Sequence, residues 1–345
     1  MTAPRPPTNA SGCIRKGFVL AALLLGLLWQ PLLSGFAAQP VTGSGSAVHP
    51  APAGAKLVRS NVLTITWLET GASLAVALET PSGKVFLMDT GGVRKATASA
   101  PDYNAGRDTI SPFLKKRGYA RMDGILISHT HGDHIGGAQW LMEHWKVGQF
   151  VDHGYPATAK GMPATYPRLR EMAAKDGGTY RVVRAGDTLA WDAALQVEVL
   201  APAAGTFDKP DDGSHNFLNM SSIVLRVQHG RNVFLFPGDA YHAAKDIPAR
   251  KLKCVVLTSP HHGFHPDSSN FTKLSAPKYV VVTCAADYPS NAGTPYPRSP
   301  GGFSVEKYGA LGIETFVTAF DGDITARSDG QTVKLARQRA RVIPP

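Results

Sequence analysis

The stretch DGILISHTHGDHIGG, residues 123–137, decides how the rest of the chain reads. Its first half, Asp123–Ser128, is a short apolar run without a polar face, the pattern of a strand buried on both sides. It delivers His129, His131, Asp133 and His134, and then Gly136 and Gly137, which predict a tight turn. Ionisable groups this dense, placed straight after a buried strand, need a metal or partners to offset their desolvation. Imidazole nitrogens and a carboxylate are ligands for zinc or a similar divalent ion, and this set suits a pair of ions. A polar loop that happens to hold three histidines is the bland alternative, and it leaves the burial unexplained.

Working outward, the runs VLTITWL, SLAVALET and KVFLMDT upstream read as strands, with Pro81-Ser82-Gly83 as a hairpin turn. SPFLKKRG (residues 111–118) reads as a short helix ended by glycine. Downstream, AQWLMEHWK predicts a helix, and Tyr166–Lys175 another among loops. A second β-rich half follows in LQVEVLAP, SSIVLRVQ, NVFLFPGD, CVVLTSPHHG and YVVVTC, and strands resume at ETFVTA, GDITARS and TVKLARQ. Two β-rich halves interleaved with helices predict two sheets packed face to face with helices outside. That is an α/β four-layer sandwich (αββα), a single domain over residues 59–330. The 345 residues are 43% apolar and 18% charged, enough for a large core and too apolar for general disorder. Collagen and coiled-coil readings fail for want of a three- or seven-residue period.

The ends differ. Residues 1–17 carry Arg5, Arg15 and Lys16 and no acid, and the apolar run Phe18–Leu28 follows, before small residues to Ala38. This is the layout of a signal peptide over 1–38, and Gln30 and Pro31 leave the run shorter than the roughly 20 residues that span a bilayer. The expected location is exported, periplasmic or extracellular, without stable membrane insertion after cleavage. The formal charge of +10 then becomes +7, because three cations and no acids leave. Residues 39–58, rich in Pro, Gly, Ala and Ser, read as a flexible linker, and 331–345 as a basic C-terminal strand or tail. Cys254 and Cys284 flank strand-like runs; if these lie parallel, the sulfurs fall roughly 16 Å apart at about 3.3 Å per residue, too far for a disulfide.

The form H-x-H-x-D-H resembles the signature of the metallo-β-lactamase superfamily. The stretch from Ser111 to Gly137 is similar to the soluble metallo-hydrolase domain of DNA-uptake competence proteins. So are Met88-Asp89-Thr90-Gly91-Gly92, NMSSIVLRVQHGRNVFLFPGD (219–239) and Pro260-His261-His262-Gly263, in the family's order. The resemblance implies a dinuclear site: His129 and His131 on one ion, Asp133 and His134 on the other, Asp239 bridging, and His261 as last ligand of the second. Asp133 and His262 are the catalytic candidates, with His262 giving a proton or binding substrate oxygen; the two adjacent histidines can exchange places. His153, in Asp152-His153-Gly154, is the candidate third ligand of the first ion, with His215 in reserve. Asp89 is expected to orient a ligand imidazole. His144, His229, His242 and His265 have no matching spacing. The chain departs from the competence proteins at Glu69-Thr70-Gly71-Ala72-Ser73, where they carry G-Q-G-D, and in keeping His131. No membrane-channel segments accompany the domain.

The implied activity is that of a secreted hydrolase with two divalent ions, Zn²⁺ by preference, in which a metal-bridging hydroxide attacks a phosphoester, phosphodiesters included, or a related ester. A positive mature chain favours small anionic substrates. The alternatives are lactone or β-lactam hydrolysis, iron-dependent redox chemistry, and an extracytoplasmic module that grips nucleic acid through KLARQRAR (334–341) without turnover. Oligomeric state is left open.

Overall fold

A computed structural model describes residues 60–97, 101–156, 165–175, 177–208, 215–264, 271–285 and 300–341. The expected signal peptide and linker, and His265, lie outside them. In chain order the strands are β1 (Leu63–Trp67), β2 (Ala75–Glu79), β3 (Val85–Thr90), β4 (Val93–Arg94), β5 (Tyr103–Asn104), β6 (Gly124–Leu126), β7 (Gln149–Asp152) and β8 (Thr179–Val182). The second half supplies β9 (Leu195–Ala201), β10 (Val224–His229), β11 (Asn232–Phe236), β12 (Val256–Thr258), β13 (Tyr279–Val282), β14 (Glu314–Val317), β15 (Ile324–Ser328) and β16 (Val333–Arg337). They form an eight-stranded sheet, β16-β15-β1-β2-β3-β6-β7-β8, a six-stranded sheet, β14-β13-β12-β11-β10-β9, and the small β4-β5 ribbon.

Side-chain alternation along the strands builds the layers. In β11, Phe234 and Phe236 face the other sheet while Leu235 faces outward. In β1, Leu63, Ile65 and Trp67 point the same inward way. Inward residues of both sheets make one core between them. A second core lies under the helices Ser111–Lys116, Ala138–His144 and Tyr166–Lys175, where Leu114, Leu141 and Leu169 meet Leu87, Ile125 and Phe150. A third lies outside the smaller sheet, where Leu252, Phe271 and Tyr308 meet Leu235, Leu257 and Val280. Helix, sheet, sheet, helix is the predicted sandwich. Trp67 Nε1 donates to Thr258 Oγ1 across the central core (2.9 Å), so the one polar atom of a buried indole ties the two sheets together.

The core of each sheet is parallel: β3-β6-β7-β8 in the larger, β11-β12-β13-β14 in the smaller. The carboxyl ends of parallel strands share one edge, the usual place for a site in such sheets. The end of β3 (Asp89) and the segments following β6, β7, β11 and β12 carry candidate residues.

Two local expectations change. Gly136 and Gly137 are not a strained turn; Gly136 has helical angles (φ −57°) and ends the short helix Gly132–Ile135. Glycine is needed there for approach, since a Cβ on Gly137 would lie 2.3 Å from the Thr90 carbonyl oxygen. Cys254 and Cys284 are free, and because Val256 pairs with Tyr279, Cys254 falls level with Pro277, further from Cys284 than expected. Of the strand or tail expected at the C-terminus, Val333–Arg337 takes the strand form. β16 pairs with β15, Arg337 and Arg341 converge on buried Asp321, and Arg339 pairs with Glu69.

Burial opposes ionisation of Asp321, yet the Arg341 hydrogen bonds and the Val317 amide hold its carboxyl below the ordinary range. A depressed native pKa stabilises the fold above the unfolded value of about 4 and loses that contribution as pH falls through the lower native value. Asp321→Asn is therefore expected to lower the unfolding free energy by about 1–3 kcal/mol at pH 7. In urea melts the difference from the parent protein should shrink at pH 3; a constant gap would show that the charge is not the cause.

Candidate metal centre

Asp89 ends β3 in a left-handed conformation (φ 57°) that turns its carboxylate back under the loop after β6. Its Oδ1 accepts the Ser128 amide (2.6 Å); its Oδ2 accepts the Ser128 hydroxyl (2.7 Å) and meets His134 Nδ1 (2.8 Å). With Nδ1 used in this way, His134 presents Nε2 to the site. Around that atom lie His262 Nε2 at 3.1 Å, Asp239 Oδ1 at 3.2 Å and Asp133 Oδ2 at 3.9 Å.

Two groups of ligand-type atoms result, each within 4.8 Å: His129, His134 and Asp239, and Asp133, His134 and His262. Asp239 lies between them. Its Oδ1 faces His134, while its Oδ2 is 3.7 Å from His129 Nε2. Gly238 at φ 54° swings this carboxylate off the end of β11, and a Cβ there would meet Ser128 and Ser222 at 3.0 Å. The Asp239 amide donates to Ser222 Oγ (3.2 Å), which fixes the loop.

The electrostatics suit a cation. Burial disfavours a charged His129, and the neighbouring histidines lower its pKa further, well below the usual imidazole value. Burial also opposes charge on His134 and His262, but the carboxylates around them outweigh it and raise both. Desolvation also opposes charge on buried Asp239 and on partly exposed Asp133, but the same histidines outweigh it and lower both carboxyls. Without an ion the cluster balances its carboxylates with protons, so cation binding must release protons.

Of the residues singled out from sequence, His129, Asp133, His134 and Asp239 come together. His131 pairs with His129 (Nδ1 to Nε2, 2.9 Å) but falls in neither group. The expected order of the adjacent histidines is reversed. His261 and His262 both take left-handed angles (φ 50° and 54°), and the turn sends His262 into the cluster, 3.2 Å from Asp133 Oδ2, with Nδ1 against the Thr283 carbonyl (2.9 Å). His261 instead stacks on Tyr241 (10° between planes) and touches the site only from the Asp239 Oδ2 side, at 3.7 Å.

His153 lies outside both groups. Its Nδ1 accepts the Tyr155 amide (3.1 Å), which leaves the proton of the neutral ring on Nε2, buried without a hydrogen-bond partner. Burial pushes its pKa down to about 4, so the neutral ring prevails. This arrangement is that of a donor, and ligation through Nε2 requires the Tyr155 contact to break. His215 opens the helix His215–Met220. Ser128, Asn219 and Thr283 were not singled out as site residues. Asn219 heads the N-x-S motif, and its Oδ1 is buried without a hydrogen-bond partner; Thr283 follows β13 with no motif to mark it.

The family model for the metallo-beta-lactamase superfamily matches residues 68–284. The chain belongs to that superfamily. Among curated proteins it is similar to ComE operon protein 3 of Bacillus subtilis, at 28% identity over 224 residues, 62% of this chain and 27% of that protein. Competence protein ComA of Neisseria gonorrhoeae is 28% identical over 231 residues, 66% of this chain and 28% of that one. The chain thus spans less than a third of the length of these relatives. Among solved structures, the metallo-beta-lactamase fold protein YhfI from Bacillus subtilis matches with a TM-score of 0.47 and 10% identity, covering 77% of this chain and 99% of that one.

Asp89→Asn tolerates the left-handed backbone but loses the charge that orients His134. Its affinity for Zn²⁺, measured by chelator competition, is expected to fall about 10–100-fold. Unchanged affinity would show that Asp89 serves the fold alone.

Proposed function

We propose that the chain is an exported hydrolase that uses two divalent ions, Zn²⁺ by preference, to cleave phosphoesters, foremost phosphodiesters. The position of Asp239 carries the reading, since its two oxygens face different imidazoles, as a carboxylate shared by two ions requires. Partnerless Asn219 Oδ1 and the His/Asp donor set fit cations of this kind. Bound there, the ions supply Lewis acidity, an activated water and charge stabilisation for the leaving oxygen.

The chain's own groups do the rest. Asp133 holds the cluster at the mouth of a neighbouring cavity, where its side chain is 39% exposed. His262 is committed at both nitrogens, to Thr283 and to the carboxylates, so it orients rather than shuttles protons. Partly exposed His261 is the ring placed to protonate a leaving group. The preference for phosphoesters is supported by the likeness to competence proteins. Export is supported by the signal-like residues 1–38, and no helix among the described residues is long and apolar enough to cross a membrane.

Metal analysis of the purified protein should find two equivalents. A panel of bis-p-nitrophenyl phosphate, p-nitrophenyl phosphate, DNA, lactones and nitrocefin should show phosphodiester turnover, and Asp239→Asn should reduce it at least about a hundredfold. His262→Ala should lose metal, whereas His261→Ala should keep metal and lose kcat. Hydrolysis of nitrocefin alone would sink the phosphoester reading, and full activity in Asp239→Asn would sink the shared carboxylate.

A further inference from the structure

A cavity of about 390 Å³ opens beside Asp133, between the Thr70–Ser73 loop and the β4-β5 ribbon. Asp133 is the single acid among its lining residues and Arg94 the single Lys or Arg. Val93, also in the lining, is 58% exposed, one of the few large apolar side chains left open among the described residues. The ribbon therefore offers an apolar contact and a cation beside a metal-type cluster.

Arg94 is available for a ligand. Its guanidinium lies over the Tyr103 ring, 5.7 Å from the centroid, and among the described residues no carboxylate pairs with it. The acids that influence Tyr103 are engaged elsewhere, Asp108 with Arg107 and Glu69 with Arg339. The aromatic platform restricts the guanidinium without neutralising it.

The ribbon is also fixed relative to the cluster. Gly92 accepts the Ala105 amide (3.0 Å) and Gly91 donates to Leu74 (2.8 Å). A Cβ on Gly92 would be 3.5 Å from Asp133 Cα, and one on Gly136 would be 2.9 Å from Val93 N. The metal loop and the start of β4 are in backbone contact. Arg94 stands two residues beyond Gly92, about 7 Å further along the strand. Arg94 is thus set back from the cluster along the strand, with its guanidinium over Tyr103.

We propose that Arg94 is the specificity-determining residue of this centre. It binds a second anionic group, beyond the ester that is cleaved, while Val93 contacts the apolar portion between them. The favoured substrate class is a phosphodiester that carries a further phosphate, rather than a simple monoester. This rests on the phosphoester reading above, and the test separates the two.

Calorimetry with the Zn²⁺-loaded protein compares thymidine 5′-monophosphate with thymidine 3′,5′-bisphosphate. Kinetics compare the p-nitrophenyl ester of thymidine 5′-phosphate with and without a 3′-phosphate. The parent protein should bind the bisphosphate about tenfold more tightly and show a correspondingly lower KM for the ester that carries the 3′-phosphate. Arg94→Ala should erase that preference and leave kcat for the ester without the 3′-phosphate unchanged; Arg94→Lys should restore part of it. Absence of the preference in the parent, or its persistence in Arg94→Ala, overturns the inference. An Arg94-dependent binding preference without hydrolysis of any ester would uphold it and overturn the hydrolytic reading instead.

Discussion

Asp89 is fully buried, and both its oxygens are spent on Ser128 and His134. An unpaired carboxylate at that depth would cost several kcal/mol, so the loop after β6 has little freedom to be anywhere else. The constraint acts in both directions. It pins the end of β6 against β3, and it fixes His134 so that Nε2 faces Asp239. The two sheets are joined at this edge through polar groups, just as Trp67 and Thr258 join them within the core. The close passage of Gly137 past Thr90 follows from the same requirement. A larger residue there would lift the loop and leave the Asp89 carboxylate without partners.

Residues whose roles depend on pattern were legible in the sequence. The alternation in NVFLFPGD places Phe234 and Phe236 in the central core and brings Asp239 off a strand end, and a strand followed by clustered histidines reads as a site. The orienting role expected of Asp89 comes from the resemblance of Met88–Gly92 to the competence proteins, and its contact with His134 Nδ1 fits that role. Residues whose roles depend on backbone torsion were not legible. Nothing in Pro260-His261-His262-Gly263 reveals that two successive histidines adopt left-handed angles, which decides which ring enters the cluster. Nor does Asp152-His153-Gly154 show that the Tyr155 amide will claim His153 Nδ1. Sequence order places a histidine within a few ångströms of a site, but the choice between ligand and donor is made by a single hydrogen bond.

The β4-β5 ribbon escaped sequence reading for a different reason. Each strand is two residues long and too short to show alternation, and Val93 and Arg94 are exposed, so no burial pattern marks them. Its order comes from packing: glycines on both sides bring its start against the metal loop. Short elements that hold their shape through neighbours have no local signature.

Net charge is a poor guide to how this protein meets an anion. The chain's excess of cations is +10, but the C-terminal arginines contribute little outside the molecule, because Arg337 and Arg341 neutralise buried Asp321 and Arg339 neutralises Glu69. Those pairs stabilise the last strand and cancel over a few ångströms, and the Debye length of about 8 Å at physiological salt screens what remains. What reaches a substrate is the local arrangement: buried carboxylates and imidazoles that favour cations at the cluster, and one guanidinium held by an aromatic ring at the rim of the adjoining cavity. Asp133 lines that same cavity, so the cluster and the guanidinium share one opening.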